Sequence, residues 1–439
     1  MNCRPPTLPR MGMPTTHHPS RITHHVPSGP WHWYAQAVPS VPFVPWTPAL
    51  VAAALVSAPA AAIAEEQPNP VLGGLASTTI SGYVDTSAQW NAGTGDANTP
   101  AYAFGGPGKA DGFNLNVVKL SLAQPTDTER AWAAGYKVDL LFGPDADAIA
   151  TQSIGPGADV AVRQAYVALH APVGNGMDFQ MGVWDTIIGY EVTDSISDPN
   201  YTRSYGYTIE PPAHTGIRAS YLFSETLSAV FGVADTFGPK INERAFPARA
   251  ESYRTYLSSF TLTASENWGP LAGSTLTACI INGFNSGANA GAGADQTSWY
   301  AGGTLNTPLK ALKVGVSYDY AGVSQQPMSG SGYANAVAVY ASYQATEKLS
   351  LHARGEYASS DALTSSGTPL LGARRIFAAT GTLQYDLWKN VLSRIEFRWD
   401  HAADGSEAYG GTPVPGSTAA VPGTRKNSYI LLANLTYKF

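Results

Sequence analysis

The residues best suited to chemistry are few and far apart. Beyond residue 64 the chain carries the histidines His170, His214, His352 and His401 and a single cysteine, Cys279. None of them shows the His-x-x-x-His or Cys-x-x-Cys spacing that closes a zinc site. A Gly-x-Ser-x-Gly elbow for a nucleophile is missing, and the glycine run GANAGAGADQ lacks the Lys-Ser/Thr of a phosphate loop. A lipase built on a barrel wall needs a Ser and a His on neighbouring strands at the lipid-facing rim, and His352 has the opposite parity. The histidines His17, His18, His24 and His25 resemble a metal tract, but no patterned element surrounds them to fix ligand geometry. The sequence therefore points away from catalysis, and no cofactor or metal is implied.

What remains is charge. The segment GYEVTDSISDPNYTRSYGYTIEPPA (189–213) sets Glu191, Asp194, Asp198 and Glu210 against the single base Arg203. Its plain reading is an acidic loop exposed to water. The alternative is a loop folded into a pore, facing basic wall residues such as Arg218, Arg354, Arg394 and Arg398, with Glu356 and Glu396 between them on the same strands. Charges opposed across a narrow water-filled passage create a transverse field, and rings of this kind set selectivity. Tyr201, Tyr205 and Tyr207 form an aromatic track that would instead suit a channel specific for a sugar or an anion.

Such a site needs elements that alternate. In VLSRIEFRWD (Val391–Asp400), Val391, Ile395, Phe397 and Trp399 share one parity, while Arg394, Glu396, Arg398 and Asp400 share the other. LSLHARGEY repeats the pattern, with Leu349, Leu351 and Tyr357 opposite His352, Arg354 and Glu356. A period of two is a strand with one apolar and one polar face. Segments of about ten residues with this character recur from Thr79 onward, separated by short and long connections in turn. They predict an all-β fold: a transmembrane antiparallel β-barrel over residues 78–439, with about sixteen strands, short periplasmic turns and long extracellular loops. Parity is weak over 255–306, which leaves fourteen or eighteen strands as alternatives.

Composition agrees. Of 439 residues only 13% are charged and 11% are aromatic, yet the mean hydropathy is close to neutral and no run is long enough for a membrane helix. Residues that alternately face lipid and water average out in this way. The net charge of −6 and the lack of a basic run disfavour nucleic acid as a partner.

Residues 1–64 differ in kind. They hold Arg4, Arg10 and Arg21 and no acid, then the apolar stretch ALVAAALVSAPAAAIA, which ends in the small-x-small tripeptide Ala62-Ile63-Ala64. This predicts a secretory leader cleaved after Ala64, with residues 1–40 an over-called start. A short periplasmic segment (65–77) would follow. One cysteine beyond the leader excludes a disulfide framework.

The other end reads NSYILLANLTYKF. Tyr429, Leu431, Ala433, Leu435, Tyr437 and Phe439 share a parity, so this is a strand whose last aromatic sits at the level of lipid headgroups. Tyr437 and Phe439 form the expected signal for the barrel-assembly machinery.

Four stretches, GFNLNVVKLSLAQP, RQAYVALHAPVGNGMDFQMGVWDTIIGYEV, SDPNYTRSYGYTIEPPAHTGIRASY and TLQYDLWKNVLSRIEFRWDHA, resemble in order and spacing the OmpL-like β-barrel porins, or porin-2 family. The resemblance implies an outer-membrane porin that passes ions and small hydrophilic solutes by diffusion, surrounded by outer-membrane lipids. A homotrimer is the assembly common among barrels of this size. The rival readings are a substrate-selective channel and a plugged structural or adhesive barrel.

Overall fold

A computed structural model describes residues 77–439 except 94, 96, 102–110, 128, 149–158, 239–240, 245–253, 285–294, 327–329, 364–368 and 413–419. The leader, its cleavage point and residues 65–76 lie outside the described residues.

Sixteen antiparallel strands close on themselves. In chain order they are β1 (Thr79–Asn91), β2 (Gly112–Gln124), β3 (Ala133–Phe142), β4 (Val160–Ala171), β5 (Met177–Asp185), β6 (Ala213–Ser224), β7 (Leu227–Ala234) and β8 (Thr255–Thr263). The second half comprises β9 (Thr275–Phe284), β10 (Asp295–Asn306), β11 (Leu312–Gln326), β12 (Gly330–Gln344), β13 (Leu349–Ser360), β14 (Arg375–Trp388), β15 (Val391–Ala402) and β16 (Asn427–Lys438). Each strand pairs with its sequence neighbours, and β1 pairs with β16, Tyr83 opposite Lys438 and Asn91 opposite Ile430. Closure leaves no unpaired edge, which is what allows a sheet to sit in hydrocarbon.

The alternation read from the sequence is the alternation seen. On β15, Ile395 and Phe397 are 57% and 50% exposed on the outer face, whereas Arg394, Glu396, Arg398 and Asp400 are at 1% or less on the inner one. Connections at one end are tight. Two residues, Lys389–Asn390, join β14 to β15, and Asn390 takes the left-handed conformation (φ 68°) that asparagine tolerates. The other end carries the long loops, of which 186–212 is the third. The terminal ring of Phe439 lies against Gly82: a β-carbon at Gly82 would stand 2.7 Å from Phe439 Cζ and collide with the Lys119 carbonyl.

Two features of the interior lie beyond what alternation shows. Strand β5 ends at Asp185, and beyond it Ile187 and Ile188 turn inward. There Ile188 joins Trp184, Ala234, Phe237, Leu257, Cys279, Ile281 and Tyr300 in a buried apolar cluster. That cluster explains the weak parity of 255–306, since the inner face of β8 and β9 mixes the apolar Leu257, Cys279 and Ile281 with Thr255 and Ser259. Likewise Ile430 and Leu432 point inward from β16, packed with Tyr83, Val117, Leu141 and Tyr201. The barrel thus has dry cores inside it, and all of them involve the third loop or its flanks.

Candidate functional site

The third loop crosses the barrel interior and is held by the wall opposite its origin. Wall carboxylates take its backbone N–H groups. Glu396 accepts from Tyr201 (2.6 Å) and Thr202 (2.8 Å), and Glu356 accepts from Tyr205 (2.7 Å). Wall guanidiniums take its carbonyls. Arg354 donates to Thr202 O (2.6 Å), Arg398 to Arg203 O (2.6 Å) and Arg394 to Ser195 O (2.9 Å). A loop without regular structure leaves its backbone groups unpaired, and burying them alone would cost several kcal/mol. The alternating Arg and Glu of β13 and β15 satisfy them at the spacing a strand supplies.

Side chains complete the clamp. Glu191 pairs with Arg354 at 2.8 Å, and its other oxygen accepts from Ser204 N at 2.8 Å. Asp198 pairs with Arg203 within the loop. Asp194 reaches Lys119 of β2 at 2.7 Å, Ser195 reaches Asp85 of β1 at 2.8 Å, and Asn200 reaches Thr382 of β14 at 2.7 Å. Arg394 and Arg398 also lie over the rings of Tyr201 and Tyr205, 5.5 Å and 5.2 Å from their centroids. The short helix α1 (Pro144–Ala148) caps the β2–β4 wall, and α2 (Tyr205–Ile209) lies in the third loop with Ser204 as its N-cap. Outer loops close over this assembly: Tyr205 packs with Leu371, Ala373 and Tyr409.

The charged residues singled out from the sequence are therefore, Arg218 apart, brought together, but not as charges opposed across water. Glu191, Asp198, Arg203, Arg354, Glu356, Arg394, Glu396 and Arg398 are buried and touch one another or the loop backbone directly. The physical reason is reach: the loop lies flat on β13–β16, so no water layer separates the two sets. Tyr201 and Tyr205 are buried too, which removes them from any aromatic track; Tyr207 is half-buried. Of that set Asp194, Glu210 and Arg218 are of intermediate exposure.

Burial sets the loop's acid–base behaviour. It pushes the Asp198 carboxyl up to about 7, against the pull of Arg203 and with Glu191 adding to the rise. Glu210 is raised by burial and then by the charge of Asp319 on β11, to which it is hydrogen-bonded.

A second charged group was missed in the sequence. Lys119 bridges Asp194 and Asp139 (3.1 Å), and Lys137 pairs with Asp139 at 3.2 Å. Arg163 pairs with Asp185 at 2.8 Å, and Arg218 donates to the Asp185 carbonyl at 3.2 Å. Lys137 and Asp139 sit on the inner parity of β3, and that parity was the signal available; Asp185 ends β5 with the parity of the outward Met181, so alternation could not have found it. A cavity of about 170 Å³ adjoins this group, lined by Arg163, Asp185, Glu191 and Glu210 together with Ile187, Ile188 and Val192 among others.

The model of the OmpL-like β-barrel porin-2 family matches residues 77–439. The chain belongs to that family. It is an outer-membrane porin, a channel for passive diffusion rather than an enzyme. Among solved structures, this porin is similar to OmpT of Vibrio cholerae, at 15% identity over 82% of this chain and 97% of that one, with a TM-score of 0.50. An in-vitro folded OmpT is described in a trimer form. An anion-selective porin from Comamonas acidovorans shares 13% identity over 83% and 99% of the two chains (TM-score 0.52). OmpF of Salmonella typhi in complex with daunomycin shares 12% over 82% and 97% (TM-score 0.53). No curated protein matches the chain.

Proposed function

We propose that this porin passes ions and small hydrophilic solutes through a passage between its third loop and the β3–β6 wall, and that Lys137, Asp185, Asp194 and Arg218 set its ion preference. The observation that carries this reading is the division of charge by exposure. On the β13–β16 side the charged groups are buried in the clamp. Toward β3–β6 Asp139 and Arg163 are buried, but the side chains of Lys137, Asp185 and Asp194 are 32%, 35% and 30% exposed, and Arg218 is half-buried. Charges that reach water act on a passing ion; charges sealed by a protein loop act on the loop.

Reversal potential across a planar bilayer under a salt gradient tests this. Neutralising Lys137 and Arg218 together shifts preference toward cations, and neutralising Asp185 and Asp194 shifts it toward anions. Unchanged selectivity in both pairs overturns the assignment. A solute-specific channel would be blocked by its solute in the same apparatus, and a plugged barrel would show no conductance.

Assembly belongs to the same proposal. The likeness to an OmpT with a trimer form supports a homotrimer, and Tyr437 and Phe439 are proposed as the signal read by the barrel-assembly machinery. Chemical cross-linking in native membranes reports the first; barrel yield after deletion of Phe439 reports the second.

A further inference from the structure

At the end with tight turns, the lipid-facing wall changes character within one row. Strand register sets Trp388 of β14 opposite Val391 of β15, and Val391 opposite Tyr437 of β16. Trp388 and Tyr437 are 69% and 51% exposed on the outer face, where an aromatic ring marks the boundary between hydrocarbon and headgroups. Immediately beyond this row lies a recess of about 440 Å³, lined by Lys348, Lys389 and Lys438 with Asp386 as its one acid.

The three lysines come from three separate elements: the β12–β13 turn, the β14–β15 turn and the last position of β16. Backbone hydrogen bonds tie those elements together, Asp386 N to Lys348 O at 3.0 Å and Lys438 N to Asn390 O at 2.8 Å. None of the three ammonium groups pairs with a carboxylate among the described residues. In a chain of net charge −6, three bases against one acid on one recess are a local reversal of sign.

We propose that this recess binds the headgroup of an anionic phospholipid, with the lysines on its phosphate and its acyl chains lying along Trp388, Val391 and Tyr437. Charge complementarity selects an anion, and continuity with the lipid-facing wall selects one that carries chains. Basic side chains at a membrane surface attract anionic lipid in this way.

The test is native mass spectrometry of the full folded chain in detergent with phosphatidylglycerol added, and phosphatidylcholine and inorganic phosphate as comparators. One phosphatidylglycerol retained per chain in preference to phosphatidylcholine is the expected result. The variant Lys348→Gln/Lys389→Gln, which leaves the terminal strand untouched, lowers that retention at least tenfold while the heat-modifiable band persists. Trp388→Ala weakens retention of the lipid as well. Equal retention by the double variant, or equal binding of the two lipids, overturns the proposal. Displacement of the lipid by inorganic phosphate at matched concentration also overturns it, and would show a site for free phosphate.

Discussion

Glu191 of the third loop and Arg354 of β13 form an ion pair of 2.8 Å with both side chains sealed from water. The pair spans from a loop to a wall strand that is remote in sequence, so it reports on one thing, the attachment of that loop. Arg354 also holds Glu356 at 2.6 Å. Replacing Arg354 with Ala leaves two carboxylates buried without it. Removing one partner of a buried pair typically costs about 3–5 kcal/mol. The expected outcome is a loosened loop: larger and noisier single-channel conductance from a barrel that still folds. The double variant Glu191→Gln/Arg354→Gln should be milder than the two single changes combined, because it strands only Glu356, which keeps Arg398 at 3.9 Å.

Glu396 gives a second handle. It accepts the N–H groups of two successive loop residues, Tyr201 and Thr202, one on each oxygen. Hydrogen bonds to a charged group contribute about 1.5–3 kcal/mol each. Glu396→Gln keeps the shape but can satisfy only one N–H well. Conductance should rise as in the Arg354 variant, whereas ion selectivity should change far less than after neutralising Lys137 and Arg218. A pure selectivity change with unaltered conductance would count against the clamp.

Acidity should tighten the loop. Asp198 ionises at about 7 when the loop is seated, against an ordinary value of 3.8 for an aspartate in water. The seated state therefore binds the proton more firmly, and its stability falls as pH rises between those two values. Glu210 is displaced in the same direction. Loop fluctuations, read as open-channel noise, should be lowest near pH 4, grow toward pH 7 and level off above it. Asp198→Asn should flatten much of that slope.

The terminal ring depends on an absence. Gly82 has no β-carbon, and Phe439 occupies the space; the two residues also exchange backbone hydrogen bonds of 3.0 Å each way. Gly82→Val should displace the ring and strain the β1–β2 pairing. Recovery of heat-modifiable barrel should drop in this variant as it does for Phe439→Asp. A headgroup-level charge costs at most about 1 kcal/mol in a barrel, so a large loss in the second variant would reflect failed assembly.

The outer wall was legible from sequence because lipid imposes the same demand on every outward residue. Ile395, Phe397, Leu431 and Tyr437 could be assigned without knowing their neighbours. The inner wall obeys no single solvent. Ile430 and Leu432 face inward because Tyr201 covers them, and Arg394 faces inward because Ser195 offers it a carbonyl. Both facts depend on contacts across some two hundred residues of chain, which a period of two does not encode. Parity placed the arginines on the correct side; only the loop's path decided whether they met water or protein.

One buried atom turns this arrangement into its own reporter. Cys279 Sγ lies 3.2 Å from the Ile187 carbonyl and 3.2 Å from Ser259 Oγ, inside the apolar cluster where the third loop begins. It is the sole thiol of residues 65–439, so thiol modification within the barrel maps to a known spot. While the root of the loop stays seated, a maleimide has no path to that sulfur. If the root lifts, the thiol is uncovered, and labelling rate becomes a clock for the motion, readable in whole cells without introducing a single probe.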